Sequence, residues 1–248
     1  MSKIIYGINS VLEALKSHPE LVEEIWLNKN TLSGRKYQIV EKAKKLGIPL
    51  KLVSKHRFNP PKISPQANTQ GVVAYLSEFL YANLEDIVKN WENKKEIPLV
   101  LILDEVEDPQ NVGSIIRSAD AGGVHGIIIP KLRGCDINET VIKVSSGSAF
   151  NLPIVKINNI KHAISFFKEM GLCIIGLTHK ANTSIYSLDL KQPVAIIVGN
   201  EGRGIRQTVL EKCDFLVKIP MKGKIESLNV SIAAAVTIFE ILRQRYYV

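Results

Sequence analysis

LVLILDEVEDPQNVGSIIRSADAGGVHGIIIP, residues 99–130, decides the fold. Two continuous apolar runs, LVLILDE and HGIIIP, flank NVGSIIRSADAGG, whose apolar residues recur at helical spacing. Runs without polar alternation suit strands covered on both faces, and a helix between them makes the strands parallel. The pattern continues through LPIVKI (152–157), LCIIGLT (172–178), VAIIVGN (194–200) and FLVKIP (215–220). The intervening stretches ETVIKVSSGSA (139–149), IKHAISFFKEMG (160–171) and IRQTVLEKC (205–213) read as the helices between these strands, and SLNVSIAAAVTIFEILRQR (227–245) as a long final helix. The expected fold class for this part is α/β with a parallel sheet.

The first 76 residues form a separate, smaller α/β pattern. GINSVLEALK (7–16) has helical periodicity with Asn9 or Ser10 as the expected cap, and RKYQIVEKAKKLG (35–47) is an amphipathic helix closed by Gly47. EEIWL (23–27), PLKLVS (49–54) and QGVVAYLS (70–77) read as strands, and NPPKISPQANTQ (59–70) as a surface loop. Residues 77–96, with the charged run NWENKKE, read as a linker carrying one helix. The domain expectation is therefore 1–76, a linker at 77–96, and 97–248.

Charge divides the same way. Residues 1–95 hold 15 Lys and Arg against 9 Asp and Glu; the remainder holds 17 against 15. Lys and Arg displace counterions from a phosphate backbone, so the basic first part points to a nucleic-acid partner. No apolar run approaches the roughly 18 residues a membrane span needs, and the start MSKIIYGINS lacks a signal peptide's apolar core. Cys135, Cys173 and Cys213 are odd in number and widely spaced, which fits reduced thiols and no zinc motif. A cytoplasmic protein without membrane or metal partners is expected.

Three runs carry chemistry: DPQNVGSIIRSADAGGVHG (108–126), IIVGNEGRG (196–204) and IPMKGKIESLNVSIA (219–233). Each sets polar residues and glycines at the end of an apolar strand, where α/β sheets present their ligand sites. Asn111 and Arg117 lie six apart, about 120° out of line on one helix, so Asn111 is expected at the helix mouth, as cap or ligand, and Arg117 lower down among Ser114, Ser118, Ala119 and Ala121. Gly199, Gly202 and Gly204 permit a tight turn around Glu201, whose carboxylate is expected at a helix N-terminus. Ser227 or Asn229 is the expected cap of the final helix, and Met221 and Leu228 beside polar groups suit a partly apolar ligand such as S-adenosylmethionine.

The order DPxNxGxxxRxA, GNEGxG, IPMxGxxxSLNVSxA resembles the three motifs of the SpoU/TrmH branch of the SPOUT methyltransferases, over all of residues 99–248. YGINSVLEAL through QGVVAYL resembles the ribosomal-protein-like RNA-binding domain of family members that act on 23S ribosomal RNA. The resemblance implies a C-terminal SPOUT domain with a trefoil knot, a homodimer with its active site at the subunit interface, and methyl transfer from S-adenosylmethionine to a ribose 2′-hydroxyl of ribosomal RNA, specifically a guanosine of 23S rRNA. It implies cofactor contacts at Leu177, Thr178, Gly199, Ile219, Pro220, Met221 and Leu228, and catalytic roles for Asn111, Arg117, Glu201, Ser227 and Asn229. Rival readings are the same chemistry on transfer RNA or on an antibiotic-resistance site of ribosomal RNA, and a non-catalytic RNA-binding assembly factor.

Overall fold

The computed structural model describes residues 3–32, 34–64 and 66–247. In chain order the first elements are β1 (Lys3–Tyr6), α1 (Ile8–Ser17), β2 (Val22–Asn28), α2 (Arg35–Leu46), β3 (Leu50–Val53) and β4 (Val72–Leu76). They are followed by α3 (Leu84–Lys94), β5 (Leu99–Asp104), α4 (Pro109–Ala121), β6 (Gly126–Pro130), α5 (Glu139–Val144), β7 (Ile154–Ile157), α6 (Ile160–Glu169) and β8 (Cys173–Leu177). The last are β9 (Thr183–Ser184), β10 (Val194–Gly199), α7 (Gln207–Leu210), β11 (Phe215–Lys218) and α8 (Val230–Tyr246). The chain divides into two compact units: residues through Leu80 together with Ile137–Asn151, and Tyr81–Asp136 together with 152 onward.

In the first unit β1, β4, β2 and β3 lie side by side, antiparallel except for the parallel β2–β3 pair. Ile25 and Leu27 of β2 are buried on one face of the sheet with their partners Ala74 and Val72 of β4, and α1 and α2 carry the buried residues Val11, Leu15, Ile39 and Ala43. The helix α2 ends at Gly47 in the left-handed region, as its sequence indicates. The cap of α1 is Gly7, not Asn9 or Ser10: the turn out of β1 needs φ +96, which favours glycine, and both candidates fall inside the helix.

The second unit is a seven-stranded, wholly parallel sheet in the order β7-β6-β5-β10-β8-β11-β9. Every residue of β5, β6 and β10 is buried, which is why their sequences lack polar alternation. From β5 the chain runs outward to β6 and β7, returns to β8, and only then inserts β10 between β5 and β8. That reversal opens a crevice beyond the carboxyl ends of β5, β10, β8 and β11.

Two segments pack differently from their sequence reading. Residues 77–96 do carry one helix, α3, but Leu84, Ile87 and Trp91 are buried in the core of the second unit with Val100, Ile128 and Phe167. The segment is thus mostly part of that unit, because its apolar residues fall on one face behind the charged run. Likewise α5, expected over the parallel sheet, lies within Ile137–Asn151, which joins the first unit, with Gly147 against Glu13 and Phe150 beside Phe79 and His18. A short helix with two buried residues, Val141 and Ile142, does not say in sequence which sheet it covers.

Candidate active site

The loops that leave the strand ends furnish the crevice. After β5, Asp108 caps α4, its carboxylate accepting the N–H groups of Gln110 and Asn111 at 3.2 Å, with Pro109 at the first helical position. Asp108, and not Asn111, is therefore the cap. Freed from capping, the Asn111 side chain lies in the first turn of α4 and bridges two other loops. Its Nδ2 donates to Glu201 Oε1 at 2.8 Å, and its Oδ1 accepts from Asn229 Nδ2 at 3.0 Å. Asn229 in turn caps α8, its Oδ1 accepting from Ser231 N at 2.8 Å and Ser231 Oγ at 2.6 Å. Glu201, Asn111 and Asn229 thus form one chain linking the loops after β5, β10 and β11.

Glu201 rides on a closed hairpin. Asn200 and Gly204 exchange backbone hydrogen bonds at 3.1 and 2.9 Å, and Asn200 Oδ1 accepts the N–H groups of Gly202 and Arg203 at 3.0 and 3.1 Å. A Cβ on Gly199 would stand 2.2 Å from Gly204 C and Ile205 N, so the close approach of these backbones requires glycine there. The hairpin corrects the expectation of Glu201 at a helix N-terminus, because α7 begins only at Gln207. It is pinned to the end of β5 by Asn200 Nδ2 on Glu105 O at 2.9 Å and by the Arg206 backbone N–H and Nε on the two oxygens of Asp104 at 2.8 Å each.

Between the hairpin, the end of β8 and the approach to α8 lies an open pocket. Leu177, Thr178, Gly199, Ile219, Met221 and Leu228 line it, as do Glu201 and Ser227. Pro220, Asn111, Arg117 and Asn229 are not on its wall. His179, Asn200 and Glu226 are on it, though sequence reasoning does not single them out. Asn200 and Glu226 stand inside the motif runs, Asn200 at the fixed Asn of GNEGxG and Glu226 at a variable position before Ser227. The described lining carries two carboxylates, Glu201 and Glu226, and no Lys or Arg. Apolar walls, turn backbone and negative charge fit an adenosyl ligand that bears a sulfonium.

Arg117 stands apart. It is exposed on α4 and makes no hydrogen bond or ion pair with any other described residue. The cysteines offer no nucleophile: burial pushes Cys135 and Cys213 up to about 11 and raises Cys173. Among the described residues no group of His, Cys, Asp and Glu is arranged to hold a metal ion, and no helix is long and apolar enough to cross a membrane.

The SpoU rRNA methylase family model matches residues 98–239, and a model for RNA 2′-O ribose methyltransferase substrate binding matches residues 4–82. The putative TrmH family tRNA/rRNA methyltransferase YacO of Bacillus subtilis is 41% identical over 97% of this chain and 95% of its own length. The 23S rRNA (guanosine-2′-O-)-methyltransferase RlmB of Coxiella burnetii is 39% identical over 99% of this chain and 98% of its own. Among solved structures, the SpoU methyltransferase AviRb of Streptomyces viridochromogenes with AdoMet superimposes with a TM-score of 0.80 at 25% identity, covering 98% of this chain and 90% of that one. An AdoMet-bound rRNA methyltransferase of Sinorhizobium meliloti gives 0.79 at 26% identity, covering 100% and 88%. Sequence models over both units and structural likeness across the whole length agree with the order of the strand-end loops, and the chain belongs to the SpoU rRNA methylase family.

Proposed function

We propose that the chain transfers the methyl group of S-adenosylmethionine to a ribose 2′-hydroxyl of ribosomal RNA, the acceptor being a guanosine of 23S rRNA. The observation that carries this reading is the Glu201–Asn111–Asn229 chain standing beside a pocket that bears carboxylates and no Lys or Arg. The RlmB relatives, whose names specify 23S rRNA guanosine, support the acceptor. The name of the B. subtilis relative also admits tRNA, which is the second reading.

When bound, the sulfonium supplies an electrophilic methyl carbon and a neutral thioether leaving group. Backbone around Gly199, Ile219 and Met221, with Leu177, Thr178 and Leu228, would hold it in place, so positioning is the main contribution of these loops. Glu201 and Glu226 favour the cation. Asn111 and Asn229, fixed by one another, present amide groups that orient the ribose, and Ser227 adds a contact. A guanidinium is a poor base because it stays protonated. Arg117 therefore acts as a clamp on the phosphate beside the target and stabilises the negative charge that grows on the 2′-oxygen.

Arg117 reaches a cleft in this scheme only if two copies assemble, each lending its α4 to the other. Ile232, Phe239 and Tyr246, exposed and recurring every seven residues on α8, give a helix face suited to that contact. The trefoil knot belongs to the same family reading, as do a first unit that binds RNA and a cytoplasmic setting. Labelled S-adenosylmethionine with total RNA, followed by mapping of the blocked 2′-hydroxyl, tests the reaction. Label appearing only in tRNA rejects the 23S assignment. Arg117→Ala chains mixed with Glu201→Ala chains test the shared site. Random pairing leaves one intact site in half the dimers, so about a quarter of the wild-type activity returns; no recovery rejects the assembly.

A further inference from the structure

Three guanidiniums gather where β5 ends, and they are not equally occupied. Asp104, wholly buried, is committed to Arg206, whose Nη2 lies 2.6 Å from Oδ1 in addition to the Nε and backbone N–H bonds. Glu105, whose side chain is 7% exposed, then faces three cations alone: Arg206 Nη1 at 3.3 Å, Arg203 Nη2 at 3.6 Å and Arg133 Nη1 at 3.7 Å. The last two distances exceed a hydrogen bond. Arg203 and Arg133 are therefore attracted to Glu105 without donating to it, and their side chains are 62% and 64% exposed. Glu107, the remaining neighbour, lies 3.7 Å from Arg203 and is itself half exposed. The result is a pair of guanidiniums held in place from below by one buried carboxylate, with their donors open to solvent.

The position of the pair is informative. Arg203 belongs to the hairpin whose Asn200, Glu201, Gly202 and Gly204 line the pocket, and the Glu105 carbonyl accepts from Asn200. Any ribose whose 2′-hydroxyl reaches that pocket carries a phosphate on either side, within reach of the same loop. A planar guanidinium with free donors matches two phosphate oxygens at once, which lysine does not. We propose that Arg203 and Arg133 form a phosphate clamp of the second unit, gripping the RNA backbone next to the target ribose. The inference rests on the reading that the substrate is RNA.

The test uses the full-length chain with Arg133→Gln, Arg203→Gln, the double variant, and Arg203→Lys. RNA affinity is measured against salt, S-adenosylmethionine affinity by calorimetry, and thermal stability alongside. Each lost phosphate contact lowers the slope of log affinity against log salt by about 0.7 for a single strand or about 0.9 for a duplex, a weakening of roughly fivefold at 0.1 M salt. Cofactor affinity stays unchanged, and Arg203→Lys keeps the slope. A double variant with the wild-type slope overturns the clamp, whether or not its stability has fallen; a fall in stability alone marks the pair as a brace for Glu105. If the wild-type chain binds and methylates no RNA, the underlying reading fails instead.

Discussion

Replacing Arg206 with Met breaks the contact that ties the Glu201 hairpin to the sheet, together with the 3.3 Å pairing of Arg206 Nη1 with Glu105. The Asp104 carboxylate has no exposure, and Arg206 contributes Nε, Nη2 and its backbone N–H to it. After the substitution only the backbone donor remains, and a buried charge is left without its counter-charge. Removing one partner of a buried pair costs about 3–5 kcal/mol. At roughly 2–4 °C per kcal/mol for a chain of this size, the melting temperature falls by about 6–20 °C. Asp104→Asn in the same background removes the stranded charge, so the double variant recovers to within about 1–2 kcal/mol of wild type, as neutral replacements of buried pairs often do. Urea midpoints on the four proteins of this cycle measure the coupling. The three contacts also anchor the hairpin, so Arg206→Met weakens S-adenosylmethionine binding under conditions where it remains folded. A single variant costing less than about 1 kcal/mol, or no rescue by Asp104→Asn, refutes the reasoning.

The same geometry sets three further expectations. Gly199→Ala sets a Cβ 2.2 Å from backbone atoms of Gly204 and Ile205, so the hairpin opens; calorimetry should show cofactor binding weakened by an order of magnitude or more, at about 1–3 kcal/mol of strain. Asn111→Ala breaks both bridges in the Glu201–Asn111–Asn229 chain and should lower single-turnover methylation by roughly 10²–10³ with little change in melting temperature. His125 gives a pH dependence. Its buried ring accepts the Leu99 N–H at Nδ1 and faces Glu96 at Nε2, and burial holds its pKa below the ordinary value despite Glu96. Protonation thus favours the unfolded chain: the contribution is complete above about pH 6.5 and is lost as pH falls below it, by at most about 1.4 kcal/mol per unit. Comparing urea midpoints of wild type and His125→Asn between pH 7.5 and 5.5 isolates this slope, and parallel curves reject it.

The sheet is legible in the sequence because burial on both faces imposes a composition. Continuous Ile, Leu and Val runs at β5, β6 and β10 admit few other placements. The two-residue β9 carries no such signature and escapes a sequence reading. Caps are harder, since Asp, Asn and Ser compete for the same position. Asp108 before Pro109 takes the α4 cap, and this frees Asn111 for the bridge to Glu201 and Asn229. Distance along the chain hides that bridge entirely, since 90 and 118 residues separate its partners. Helical angle alone is enough to say that Arg117 points elsewhere from Asn111. A charge meant for the cleft but facing away from it on a rigid helix is either idle or serves another copy of the chain. An idle arginine tolerates Ala without loss of methylation, whereas one serving a partner fails alone and is rescued in mixed dimers. The complementation experiment therefore decides between the two without any structure of the assembly.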